Sequence, residues 1–270
     1  MTTATVQSHR RHVLSDSVTM TIRNLLHMIR YPGLTFFVVV MPVVFLLLFV
    51  YVFGGTIGAG LPGGAADGRQ AYLAYVLPGI LLMTIGGSAA GTATTVSMDM
   101  MEGIVARFRT MAISRAAVLS GHVLGNTIQA LIAVVVVFGA GLLIGFRPTT
   151  GPLQWLAAAG LLALVAFAIT WLAVAMGMAA KSVESASNLP FPLTFLPFLG
   201  SGFVPTESMP VWLQWFAQYQ PFTPWIETVR GLLLGTPMGW NPLLAIGWCI
   251  VIAVAGYIWS MALYNRKSVR

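Results

Sequence analysis

The chain has 270 residues, of which 57% are hydrophobic and only 8% are charged, and its mean hydropathy is +0.85. So few charges exclude a soluble domain with a polar surface and indicate a membrane protein with several spans. The net charge is +7. A nucleic-acid-binding protein would collect its basic residues on one folded face, whereas here they are scattered through loops. We therefore expect no nucleic-acid partner.

The spacing of the charges predicts an all-α, multi-pass protein, because a helix that crosses a bilayer needs about 20 apolar residues. With a cytoplasmic N-terminus, only Arg69, Arg147 and Arg230 of the 14 basic residues are external, as the positive-inside rule requires. Both termini are then cytoplasmic. The six predicted spans are residues 34–53, 74–97, 119–145, 153–180, 185–204 and 241–263.

We interpret the chain as one domain: a disordered tail at 1–15, an interfacial helix at 16–31, a six-span core at 34–263 and a cytoplasmic tail at 264–270. No convincing cleavage pattern follows the first span, which predicts an uncleaved anchor. The single cysteine, Cys249, excludes an intramolecular disulfide.

The segment before the first span, "SDSVTMTIRNLLHMIRYPG", has an apolar stripe at helical spacing and Arg23, His27 and Arg30 on the opposite face. This pattern predicts a helix that lies in the membrane interface, with its basic residues at the lipid phosphates. The alternative is a basic flank that only sets the orientation of the first span.

Two of the predicted spans carry a polar face. In the second span Thr84, Ser88 and Thr92 share a face, which either packs against another helix or lines a polar path. In the third span His122, Asn126 and Gln129 share a face, which favours hydrogen bonds between helices. A proton relay or catalytic site is the alternative, but this helix has no Asp or Glu at a matching spacing.

Prolines interrupt the predicted fifth span, "SASNLPFPLTFLPFLGSGFVP", so we expect it to be kinked or partly unwound. Residues 206–235 are too polar and too rich in proline for another span. They predict two short external helices, the first capped by Ser208 and the second running from Thr223 to Gly235. Glu227 and Arg230 are three residues apart in the second helix and can form an ion pair.

Motifs for catalysis are missing from the sequence. The stretch nearest to a phosphate-binding loop is "AMGMAAKS", residues 175–182, which has alanine at both required glycine positions. The sequence has no Gly-x-Ser-x-Gly or His-Glu-x-x-His motif either. We therefore expect a protein that is not an enzyme, without a cofactor or metal site of its own.

Charged residues are concentrated between the second and third spans in "MDMMEGIVARFRTMAISR", residues 98–115. Ile104, Phe108 and Met111 lie on one helical face, with Glu102 and Arg109 opposite. Such a short amphipathic helix can lie on lipid or dock into a groove of another protein, and its mixed charges favour the protein partner.

Two stretches of sequence resemble type 2 ABC transporter permeases, closest to the daunorubicin-resistance drug-export kind. One is "MEGIVARFRTMAISRAAVLSGHVLGN", residues 101–126, similar to the cytoplasmic coupling segment of that family. The other is "FLGSGFVPTESMPVWLQWFAQYQPFTPWIETVRGLLLG", residues 198–235, similar to its external region before the last span. Ala112 departs from the family, whose members often have proline there.

The resemblance implies a bacterial inner-membrane assembly in which two permeases, identical or paralogous, pair with two separate ATP-binding subunits that hold ATP and Mg²⁺. It implies the interfacial connecting helix at 17–31 and an ATPase-coupling site formed by Glu102, Ile104, Arg107, Phe108, Arg109 and Met111. The first, second and fifth spans would line the cargo path with Phe37, Met41, Phe45, Thr84, Ser88, Thr92, Asn188, Phe191 and Phe195.

By this resemblance the chain is the membrane subunit of an ATP-driven exporter of amphiphilic small molecules or drugs. Export of lipid or polysaccharide is an alternative within the family. An ATP-independent channel, a secondary transporter or an intramembrane enzyme built on the His122 face are alternatives outside it.

Overall fold

The computed structural model describes residues 32–61, 67–101 and 115–267. The predicted tail at 1–15, the interfacial helix at 16–31 with Arg23, His27 and Arg30, and the coupling segment 102–111 lie outside these residues. The described residues are helical and contain no strand. Their ten α-helices are α1 (Pro32–Leu48), α2 (Gly54–Gly58), α3 (Gly68–Met101), α4 (Arg115–Ile144), α5 (Pro152–Ala179), α6 (Val183–Asn188), α7 (Phe191–Phe195), α8 (Val211–Tyr219), α9 (Phe222–Leu234) and α10 (Asn241–Lys267).

Five helical stretches among the described residues are long and apolar enough to span a membrane. They correspond to the first four predicted spans and the last, with bounds that differ by several residues at some ends: Val38–Gly58, Gly68–Met101, Leu119–Ile144, Pro152–Ala179 and Asn241–Tyr264. In the first stretch a π-helical turn, Phe49–Phe53, joins α1 to α2. The last helix runs to Lys267, into the predicted cytoplasmic tail.

Local sequence explains where two of these helices begin. Asp67 precedes α3, and its carboxylate accepts hydrogen bonds from the backbone N–H groups of Arg69 and Gln70, which would otherwise lack intrahelical partners. Before α5, Gly151 has an extended backbone and Pro152 occupies the first helical position. Proline is suited to that position because its missing N–H would have no helical acceptor there.

The predicted fifth span, 185–204, is not one continuous helix. It consists of α6, α7 and a 3₁₀ turn at Leu196–Leu199. Pro190 stands at the junction of α6 and α7, and Pro197 lies inside the 3₁₀ turn. Each proline removes a backbone donor and disfavours a continuous helix. We call residues 183–203 the broken segment.

Close backbone contact with α3 covers the broken segment. A Cβ atom on Gly79 would lie 2.5 Å from the carbonyl oxygen of Gly202, and one on Gly86 would lie 2.7 Å from that of Leu193. Glycine is therefore required at both positions, two turns apart on one face of α3. The contact shields irregular backbone from lipid. The Gly-x-x-x-Gly pair at Gly87 and Gly91 makes no such contact.

Helix α3 lies at the centre of the bundle and is buried along most of its length, from Tyr72 to Asp99. We call the end of the bundle that contains Gly58 and Gly68 the 58–68 end. There α9 packs inside the protein, and the Nε1–H of its buried Trp225 donates to the carbonyl of Ala245 in α10. At the opposite end, the 101–115 end, a separate apolar cluster joins α3, α4, α5 and α10.

The two short helices before α10 form, but the predicted cap of the first is wrong. Helix α8 begins at Val211 after Pro210, because two prolines, at 205 and 210, shape the preceding turn and the Ser208 hydroxyl donates to the carbonyl of Pro205 instead. Helix α9 begins at Phe222 and ends where Gly235 adopts φ +73°. That left-handed conformation favours glycine, and the predicted end is confirmed.

Candidate substrate surface and coupling region

A run of phenylalanine rings connects the first spanning helix to the broken segment. We call this set the aromatic ladder: Phe45, Phe49, Phe53, Phe191, Phe195, Phe198 and Phe203. Rings four residues apart along one helix face stack on each other, as in Phe45 and Phe49, whose centroids are 6.4 Å apart. In the broken segment the rings of Phe191 and Phe195 are 4.7 Å apart.

Phe198 joins the two halves of the aromatic ladder. Its ring centroid lies 6.3 Å from that of Phe45 and 6.1 Å from that of Phe195. It also stacks almost parallel on Phe203, with centroids 4.0 Å apart and an interplanar angle of 2°. Two residues predicted for the cargo path, Phe45 and Phe195, therefore meet through a residue that was not predicted.

Sequence reasoning expected an interrupted fifth span, but from it the resemblance supplied only Asn188, Phe191 and Phe195 as path residues, so Phe198 and Phe203 were missed. The 3₁₀ turn at Leu196–Leu199 changes the positions of the following rings relative to a regular α-helix, and Gly202 lets the backbone lie directly against Gly79 of α3. The high density of phenylalanine in the predicted fifth span was the sequence feature that could have indicated these two residues.

Much of this region is open at the surface of the single chain. Phe191 is 58% exposed, Phe195 45% and Met41 47%. Asn188 is also exposed, and Phe45 is half-buried. Phe37 lies in α1, but its side chain is outside the described residues. A contiguous exposed apolar surface of this kind marks contact with lipid, ligand or another protein surface.

The predicted hydroxyl face of α3 is buried. The hydroxyls of Thr84, Ser88 and Thr92 donate to backbone carbonyls of their own helix, at 2.8, 2.7 and 3.2 Å. The central position of α3 explains this, since each face of the helix meets a neighbour. The geometry matches the packing interpretation, and contact of these residues with cargo stays a prediction.

The polar face of α4 has an acidic partner on the preceding helix. Nε2 of His122 lies 3.1 Å from Oδ2 of Asp99, near the end of α3. Nδ2 of Asn126 donates to the carbonyl of His122 at 2.8 Å, and Gln129 is half-buried. Sequence reasoning sought an acid on α4 itself and so missed Asp99. The predicted coupling residues 102–111 begin three positions after it.

Arg230 is the centre of a second polar cluster, at the 58–68 end. It is 6% exposed, and the predicted ion pair with Glu227 is confirmed. One nitrogen, Nη2, donates to the carbonyls of Tyr75 and Ser201 at 3.0 and 2.7 Å. The guanidinium carbon also lies 3.9 Å from the ring centroid of Tyr75. These contacts join α9, α3 and the broken segment.

Among the described residues, no group of three or more His, Cys, Asp or Glu side chains is arranged to hold a metal ion. The described site is thus an apolar aromatic surface, with one polar cluster at each end of the bundle.

Comparison with known proteins identifies the family. The model of the ABC-2 type transporter family matches residues 17–234. The chain is 29% identical to the daunorubicin resistance ABC transporter permease protein DrrB1 of Streptomyces coeruleorubidus, over 96% of this chain and 89% of that protein. It is 29% identical to the probable doxorubicin resistance ABC transporter permease protein DrrC of Mycobacterium tuberculosis (strain ATCC 25618 / H37Rv), over 64% of this chain and 65% of that protein. Nodulation protein J of Rhizobium leguminosarum bv. viciae is 28% identical over 82% of this chain and 85% of its own length. Because the family match covers most of the sequence, the chain is a membrane permease of the ABC-2 type transporter family.

Proposed function

We propose that this permease exports amphiphilic small molecules, including drugs, and that a separate ATP-binding subunit supplies the energy by hydrolysing ATP with Mg²⁺. The observation that carries the proposal is the aromatic ladder, whose exposed rings lie beside an apolar helix face. The similarity to a daunorubicin resistance permease over 96% of the chain supports it.

Aromatic side chains suit such cargo because they bury a large apolar area and stack in offset or edge-to-face geometries without demanding one hydrogen-bonding partner. A polysaccharide would need polar groups to replace its bound water. The exposed members of the aromatic ladder, Phe191 and Phe195, have neighbours such as Leu189 and Leu199 that are apolar and exposed as well. This surface favours amphiphilic cargo over polysaccharide.

The broken segment is proposed as a sixth membrane crossing. Met178, near the end of α5, packs with Val96 and Leu119 at the 101–115 end, whereas α10 starts at the 58–68 end, where Ala245 meets Trp225. The chain between α5 and α10 must therefore pass from one end of the bundle to the other. Contacts of Leu193 and Gly202 with α3 follow that path.

An even number of crossings also supports both termini on the cytoplasmic side. Tyr264, near the end of α10, packs in the same cluster as Val96 and Leu119, at the end of the bundle from which α1 starts. The proposed assembly has two permease chains and two ATP-binding subunits, with residues 102–111 as the coupling contact on that side.

The test is ATP-dependent uptake of daunorubicin into inverted membrane vesicles that contain the permease and its ATP-binding subunit. We expect uptake with both subunits and none with the permease alone. Phe195→Ala and Phe45→Ala are expected to change the relative transport of different drugs, while Leu143→Ala, at a position 90% exposed on α4, leaves the profile unchanged. Unchanged profiles in both Phe variants would contradict the assignment of the aromatic ladder to cargo.

A further inference from the structure

Two polar side chains join the helices on either side of residues 102–114. Asp99 is in the last turn of α3, which ends at Met101, and His122 is in the third turn of α4, which begins at Arg115. The 3.1 Å distance between Nε2 of His122 and Oδ2 of Asp99 is that of a hydrogen bond from the imidazole to the carboxylate. The contact joins the end of α3 to the first turns of α4.

The contact is buried, with 9% of the His122 side chain and 12% of the Asp99 side chain exposed. A hydrogen bond between buried groups is costly to lose, because water does not replace it freely. Removing either side chain removes this buried link between the end of α3 and the start of α4. A shift of one residue along either helix, about 1.5 Å, would take the two atoms towards or beyond the limit of hydrogen bonding. The bond therefore holds α3 and α4 in register.

An apolar cluster next to this contact extends to two further helices. Val96 lies one turn before Asp99, and Leu119 lies one turn before His122. Both are buried in the 101–115 end cluster, which also contains Trp171, Val174 and Met178 from α5 and Tyr264 from α10. A force on the end of α3 or α4 therefore reaches a packed block of four helices.

Backbone contact between α3 and α5 limits how far this block can deform. A Cβ atom on Gly177 would lie 2.4 Å from the carbonyl oxygen of Ala93, so the two helices touch without an intervening side chain. Closely packed helices of this kind transmit displacement because their interior has little free volume.

We infer that Asp99 and His122 are positioning residues that transmit displacement of residues 102–114 to the four-helix block. The inference rests on the proposed function, in which that segment contacts the ATP-binding subunit. When the hydrogen bond is present, α3 and α4 move together. When it is absent, the ends of α3 and α4 can separate, and less of the displacement reaches α5 and α10.

The test uses the complex of permease and ATP-binding subunit in lipid vesicles, with daunorubicin as the stimulating compound. The variants are Asp99→Ala, His122→Ala and the double variant. We expect each single variant to lower the ratio of stimulated to basal ATP hydrolysis by about tenfold, the factor that corresponds to loss of a buried hydrogen bond. The loss in the double variant should be smaller than the two single losses combined, because the two residues share this contact. Recovery of the ATP-binding subunit should stay at the wild-type level.

A conservative variant separates this role from a general loss of stability. His122→Gln keeps an N–H donor and is expected to stay within about threefold of the wild-type ratio. Asp67→Ala is the matched control, since it removes an acidic residue that caps the opposite end of the same helix and is expected to leave the ratio unchanged. If an alanine variant does not insert into the membrane, Asp99→Asn is measured in its place. Asparagine keeps the size and shape of the side chain but has no carboxylate.

Additive losses in the double variant, or an equal loss in Asp67→Ala, would overturn the inference. Loss of the ATP-binding subunit from both single variants would also overturn it, because the pair would then serve assembly. If the wild-type complex itself shows no stimulation and no uptake, the proposed function fails. If daunorubicin stimulates ATP hydrolysis by the wild-type complex and the variants show the same ratio, the proposed function stands and only the role of Asp99 and His122 is contradicted.

Discussion

The two ends of the bundle are held together in different ways. At the 58–68 end, Arg230 joins α9 to α3 and the broken segment, and Thr150 donates to the carbonyl of Leu232 in α9. At the 101–115 end, the described residues are joined mainly by an apolar cluster and by the contact of Asp99 with His122. In the described residues, the 58–68 end combines a large apolar core with directional bonds from several elements, and the 101–115 end has a smaller apolar cluster around a polar pair.

This difference indicates which end can move at lower cost. A buried hydrogen bond must be broken before its helices can shift, and the groups left unpaired are costly. Apolar contacts are not directional, so the packed block at the 101–115 end can shift as a unit against the rest of the bundle, as in shear motions between helices. We therefore expect the 58–68 end to be the more rigid reference, and we expect displacement to begin at the 101–115 end, which carries the proposed coupling segment.

The largest expected loss of stability comes from removing the Arg230 side chain at the 58–68 end. Arg230→Ala leaves the Glu227 carboxylate and two carbonyls without their partner, and we expect it to lower the free energy of unfolding by about 3 to 5 kcal/mol. The measurement is the thermal unfolding midpoint of the purified chain in detergent. Arg69→Ala is the control, since Arg69 is exposed and lies 5.1 Å from the ring centroid of Tyr51. Equal midpoints for the two variants would contradict the comparison of the two ends.

The next effect concerns the coupling segment, which lies outside the described residues. Phe108→Ala is expected to cost about 2 kcal/mol or more in association with the ATP-binding subunit, because a short interface depends on a few buried anchors. Arg109→Ala should cost less than about 1 kcal/mol, as a charge at the rim. The measurement is pull-down of the ATP-binding subunit, normalised to membrane expression. The coupling assignment would be contradicted if Phe108→Ala left association intact while replacement of Arg107, Arg109 and Arg115 by alanine abolished membrane insertion. The stretch would then serve only to set the membrane topology.

A smaller effect tests a single bond at the rigid end. Trp225→Phe keeps an aromatic ring but removes the N–H that donates to Ala245, and we expect a loss of about 1 to 2 kcal/mol in stability. Thermal unfolding in detergent measures it. Trp215→Phe, at a position 69% exposed, should have no effect. If both substitutions are neutral, α10 is held to α9 by packing alone and the two ends of the bundle are more alike than we infer.

The smallest effect is expected in the aromatic ladder between the two ends. Phe198→Leu keeps apolar volume but loses the stacking on Phe203, which contributes about 0.5 to 1.5 kcal/mol. The unfolding midpoint should fall slightly, and the drug profile should shift. Phe216→Leu, a half-exposed ring in α8 outside the aromatic ladder, is the control. A shifted drug profile in the control as well would indicate a general effect of aromatic loss.

Several features could be predicted from the sequence because they depend on residues close together in the chain. Apolar length predicted the five long helices, and proline positions predicted the interruption of the fifth segment. The three-residue spacing of Glu227 and Arg230 predicted their ion pair. Gly235 predicted the end of α9, since a left-handed residue stops a helix.

Tertiary structure decided which faces meet. Helical periodicity places His122 on a face of α4, but the rotation of α3 against α4 brings Asp99, 23 positions earlier, to that face. Likewise, the sequence marks many glycines, and only packing selects Gly79 and Gly86 for backbone contact. The physical reason is that lipid-facing and protein-facing surfaces of a membrane helix are both apolar, so hydrophobic pattern carries little information about the neighbour of each face.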